Sequence, residues 1–60
     1  MKREQMLKLI EKAKGWGEKW TLGMMEYDSE YNEIVVYVGR MDVYKAGFDA
    51  DTLECKWTKC

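Results

Sequence analysis

Glu33-Ile34-Val35-Val36-Tyr37-Val38 is an unbroken β-branched and aromatic run, and it constrains the fold of this chain more than any other stretch. Side chains alternate sides along a strand. Ile34, Val36 and Val38 therefore share one face, and Tyr31, Val35 and Tyr37 share the other. Turn chemistry bounds the run on both sides, with Asp28-Ser29-Glu30 before it and Gly39-Arg40-Met41-Asp42 after it. Three further segments read as strands around it. Trp20, Leu22 and Met24 alternate with Thr21, Gly23 and Met25. Val43 to Phe48 places Tyr44, Ala46 and Phe48 on one side. After an Asp49-Ala50-Asp51-Thr52 turn, Leu53, Cys55 and Trp57 alternate with Glu54, Lys56 and Thr58.

The first residues follow a different period. Met6, Leu9, Ile10 and Ala13 fall at i, i+3, i+4 and i+7, the stripe of an amphipathic helix. The spacing predicts a helix over residues 3–14. Lys12 and Lys14 suit its C-terminal dipole, and Gly15 is placed to end it in a left-handed conformation. No capping residue marks its start. Gly15-Trp16-Gly17 is then a tight connection whose tryptophan can fold back under the helix.

The expected fold is α+β: an N-terminal amphipathic helix packed on one face of a three- or four-stranded antiparallel meander. Short connections favour that arrangement. Sixty residues make one domain, 1–60, with a thin core, and a chain starting Met1-Lys2-Arg3 reads as a complete small product. The covered face is expected to hold Ile34, Val36, Val38, Leu53, Cys55 and Trp57, under Met6, Leu9, Ile10 and Ala13. No apolar run is long enough for a membrane span and no signal-peptide core is present, so the cytoplasm is the expected compartment. Cys55 and Cys60 would lie about 16 Å apart on an extended strand, beyond disulfide reach. Cys55 then reads as a core thiol and Cys60 as a free terminal one.

Catalytic chemistry finds no support in the sequence. Histidine is absent, which removes the commonest general base and metal ligand. Two cysteines without histidine cannot complete a structural zinc site. Asp49-Ala50-Asp51 lacks the glycine and further oxygen ligands of a calcium loop, and Gly15-Trp16-Gly17 follows a helix where a phosphate loop would precede one. The expectation is therefore no enzyme, no cofactor and no metal.

What remains is the face that one helix cannot cover. Tyr31, Val35 and Tyr37, flanked by Thr21, Met25 and Tyr27, would form an apolar and aromatic patch rimmed by Glu26, Asp28, Glu30 and Glu33. A competing expectation is that the sheet curls and that Tyr44 and Phe48 close its far side. The patch points to a small protein-binding module or inhibitor that occupies a larger protein. The expected contact residues are Glu26, Tyr27, Asp28, Glu30, Tyr31, Glu33, Val35 and Tyr37. Size and the lack of catalytic residues also suit a product of a phage or mobile element. Two other classes compete. The lysines of the helix end could follow nucleic-acid phosphates, although a net charge of −1 and the acidic rim oppose this. A homodimer through Val35 and its neighbours would complete a thin core.

Overall fold

A computed structural model describes residues 2–17, 20–40 and 44–59. Its helix α1 spans Arg3–Ala13, and Leu9 is the one residue of α1 that is fully buried. Lys2 is the N-cap residue, and its side chain makes no capping bond to the helix. The fixing comes from tertiary contacts instead. Gln5 Nε2 donates to the carbonyls of Ala50 and Asp51, both at 2.8 Å, and Lys2 Nζ pairs with Asp51 Oδ1 at 2.9 Å.

The helix ends one residue early and not by the expected glycine device. Lys14, Gly15 and Trp16 donate backbone N–H groups to Glu11, Lys12 and Ala13, so the chain tightens into i→i−3 turns. The left-handed residue is Gly17, at φ 85°, where a side chain would be strained. Delaying the reversal by two residues carries Trp16 onto Phe48, with ring centroids 5.5 Å apart and planes 10° from parallel.

Strands β1 (Leu22–Asp28), β2 (Glu33–Val38), β3 (Tyr44–Asp49) and β4 (Cys55–Lys59) form one open antiparallel sheet in chain order. Four strands are therefore present. Met41 and Asp42 of the expected turn, Val43 at the expected start of the third strand, and Cys60 lie outside the described residues. Leu9, Ile34, Val36, Val38, Ala46, Ala50 and Leu53 form the core, and Met6, Trp16, Leu22, Met25, Tyr27 and Phe48 pack against it. Full burial of a Val, Ile or Leu side chain contributes ~1.5–3 kcal/mol each. That places the weight of the fold on β2, which supplies three of the four largest fully buried side chains.

Several expected positions change because the sheet is not regular. Leu22 pairs with Val38 and Met24 with Tyr37, leaving Gly23 as an extra residue in β1. A bulge of this kind shifts the alternation by one. Leu22 and Met24 consequently face opposite sides, and Met25 and Tyr27 join Val36 and Ile34 under the helix instead of lining the open face. In β4, Phe48 pairs with Cys55 but Gly47 with Trp57, so Lys56 is the extra residue. Trp57 is thereby turned out of the expected core to the far face. Cys55 stays on the helix side, but it is exposed instead of buried. Tyr44 and Phe48 also lie on the helix side, in register with Val38 and Ile34, so they do not close the far face.

The helix covers less of the sheet than expected. Ile10 is exposed and Ala13 half-buried, facing Thr21 and Leu22 across an open cleft. An 11-residue helix is about 16 Å long and buries only Leu9 fully, so the β3–β4 side of the inner face stays open. Among the described residues, no helix is long and apolar enough to cross a membrane.

Candidate functional site

The face turned away from α1 collects both residues of every second pair along the ladders. Met24, Glu26 and Asp28 come from β1, Tyr37, Val35 and Glu33 from β2, Lys45 and Gly47 from β3, and Trp57 and Lys59 from β4. A shallow hollow of about 490 Å³ runs across it, lined by Glu26, Asp28, Val35, Tyr37, Lys45 and Trp57 among others.

Trp57 is held flat by its surroundings. A Cβ at Gly47 would overlap Nε1 and Cε2 of the indole, so glycine at this position is what lets the ring lie across β3. The indole reaches β2 and donates Nε1–H to Glu33 Oε1 at 3.1 Å. Lys56 Nζ sits 3.0 Å from Glu33 Oε2. The bulge therefore supplies both partners of one carboxylate: Lys56 as the extra residue and Trp57 as the one it re-aims. Glu33 is 8% exposed and fully partnered. The hydrogen bonds from Lys56 and Trp57 hold its carboxyl below the usual carboxylate range, and the same pairing raises Lys56.

Tyr37 is fixed in the same manner. Its hydroxyl donates to Glu26 Oε1 at 2.8 Å, and that bond and the nearby charge raise the phenol above its ordinary value. Val35 lies half-buried beside it, in register with both Glu26 and Gly47. Two aromatic side chains are thus pinned by carboxylates around one valine. Pinning lowers the rotamer entropy that a contact surface loses on association.

Of the expected contact residues, Glu26, Asp28, Glu33, Val35 and Tyr37 are brought to this face. Glu33 is consumed within the fold instead of standing free on its rim. Tyr27 is on the helix side, its hydroxyl donating to Asn32 Oδ1 at 2.8 Å. Glu30 and Tyr31 lie in the β1–β2 turn, where Glu30 N–H donates to Asp28 Oδ1. Tyr31 is 62% exposed and precedes Asn32, whose φ of 51° interrupts the strand alternation before β2 begins. Met24, Lys45 and Trp57 belong to the face and were not expected there. The sequence did carry a signal for Met24 and Trp57: isolated glycines inside strands, Gly23 and Gly47, mark a bulge or a close approach.

A second apolar surface lies on the helix side. Trp16, Trp20, Ala46, Phe48, Cys55 and Thr58 border an open groove of about 230 Å³ beside the helix, and Trp20 leans on Tyr44 with centroids 5.4 Å apart.

The chain matches no protein-family model, no curated protein and no solved structure.

Proposed function

We propose that this chain is a non-catalytic protein-binding module of the cytoplasm, one that acts by occupying a larger protein through the sheet face opposite α1. The observation that carries the reading is the pairing of Tyr37 with Glu26 and of Trp57 with Glu33 on either side of Val35. Tyr, Trp and Met are enriched at protein interfaces, and rigid aromatic anchors lose little entropy there. Met24, Tyr37 and Trp57 meet that description on one surface. Glu26, Asp28 and Glu30 supply an acidic margin that favours a basic partner and disfavours a phosphate backbone.

The test is capture from a native lysate, with and without nuclease, comparing the natural chain with Val35→Glu. Val35 is only half-buried, so the variant is expected to fold, which circular dichroism checks. The reading expects a co-purifying protein that survives nuclease and is lost from the variant. Equal capture by the folded variant would remove the face from the interaction. Capture that disappears with nuclease would favour nucleic-acid binding.

A further inference from the structure

The charges on the outer face are sorted by corner. Glu26 and Asp28 stand on β1, with Glu30 in the adjoining turn. Lys45 and Lys59 stand together on β3 and β4 at the diagonally opposite corner, in register with each other and with Tyr37. Glu33 and Lys56 neutralise one another between them. Glu26, Glu30, Lys45 and Lys59 enter no ion pair with another described residue. Both corners hold like charges side by side. Lys45 faces Lys59 directly, and Glu26 and Asp28 are neighbours along the outer side of β1. Like charges in direct register destabilise a sheet, so the Lys45–Lys59 corner is relieved by an incoming carboxylate.

A face with acid at one corner and base at the other is complementary to itself. We propose that it forms a two-fold interface with a second copy of this chain, the Glu26–Glu30 corner of each copy meeting Lys45 and Lys59 of the other. The axis that exchanges these corners lies in the sheet plane, along the diagonal from Met24 to the β3–β4 turn. It places Val35 and the Trp57 indole at the centre, against their own counterparts, and crosses the strands of the two sheets near a right angle, one of the two standard modes of sheet packing. The extents of 27 × 21 × 16 Å limit the contact to on the order of 500 Å² per copy, under the ~800 Å² of a standard interface. The association is accordingly weak and exchangeable, and it rests on the outer face being the interaction surface proposed above. A weak pair covers Val35, Tyr37 and Trp57 in the free protein and yields them to a tighter partner.

Sedimentation equilibrium from about 10 µM to about 1 mM, in reducing buffer so that thiols do not bridge, is the first measurement. The expected result is a mass rising from one chain toward two, with the rise reduced by added salt. Amide shifts that move with concentration should map to Glu26, Val35, Tyr37, Lys45 and Trp57 and spare α1. Glu26→Lys with Glu30→Lys, and separately Lys45→Glu with Lys59→Glu, should each stay monomeric, while an equimolar mixture of the two recovers the pair. One-chain mass throughout for the natural protein overturns the proposal. So does a dimer whose concentration-dependent shifts lie elsewhere, or a mixture of folded variants that stays monomeric. If the natural chain is monomeric yet lysate capture still depends on Val35, only self-association falls. If it dimerises but capture ignores Val35→Glu, the larger-partner reading falls instead.

Discussion

Trp57 on β4 donates its indole N–H to Glu33 on β2 at 3.1 Å, passing over Gly47 of the strand between them. Three conditions meet in that one bond. The bulge at Lys56 turns the ring outward, the missing side chain at 47 leaves it room, and the carboxylate fixes its far end.

Gly47→Ala is therefore expected to displace the indole, because the added methyl overlaps Nε1 and Cε2. Overpacking of this kind costs about 1–3 kcal/mol. Urea unfolding should show a lower midpoint, and the Trp57 indole proton should move to a shift typical of a solvated indole. An unchanged indole resonance in the variant would mean that the ring does not lie over residue 47.

The Lys56 and Trp57 hydrogen bonds lower the folded-state carboxyl of Glu33 relative to the unfolded chain. A carboxylate depressed on folding adds stability that is present above its unfolded value and is lost as pH falls through the folded one. Glu33→Gln removes that contribution, so its stability should fall less steeply with acid than that of the natural protein. Asp49 behaves likewise, since the N–H groups of Thr52 and Asp51 lower its carboxyl. Urea midpoints from neutral pH into the acid range for Glu33→Gln and Asp49→Asn would check both. Parallel curves for variant and natural chain would contradict the assignment.

The Glu26 hydrogen bond and charge raise the Tyr37 phenol. Its stabilisation is present below the unfolded tyrosine value and is lost as pH rises through the folded one. In Glu26→Gln, the charged acceptor is gone and Tyr37 should ionise at lower pH. Carbon-detected titration of the tyrosine ring resolves Tyr37 from the other three. No downward movement in the variant would show that the phenol and Glu26 are not paired in solution.

Asn32 joins two turns. Its side chain accepts from Tyr27 and donates to Asp51 Oδ2 at 2.9 Å, its carbonyl accepts from Ala50, and its φ is 51°. Asn32→Ala loses the side-chain bonds and strains the backbone, whereas Asn32→Gly loses the bonds alone. Both should destabilise, and alanine should be worse by ~1 kcal/mol. Equal midpoints would remove backbone strain from the account.

Leu9→Ala should be the most damaging change in α1, costing about 2–5 kcal/mol as a large-to-small core substitution, because no other helix residue is fully buried. Ile10→Ala, at an exposed position on the same stripe, should cost far less. Thermal unfolding of the two variants separates a helix anchored at one residue from one docked along its whole stripe.

The sequence by itself determined the helix, an antiparallel meander of three or four strands and the buried face of β2. These rest on local period and on short connections, both of which act over a few residues. It also placed Val35 and Tyr37 on the open face, because β2 is regular and its parity can be counted. Tertiary structure decided the rest. One extra residue at Gly23 and another at Lys56 each shift the alternation by one, which moved Met25 and Tyr27 inward and Trp57 outward. A bulge is a property of two strands in register and not of one strand's pattern. Its signal in a single chain is faint: here, two isolated glycines, Gly23 at the β1 bulge itself and Gly47 facing a tryptophan that lies ten residues further along.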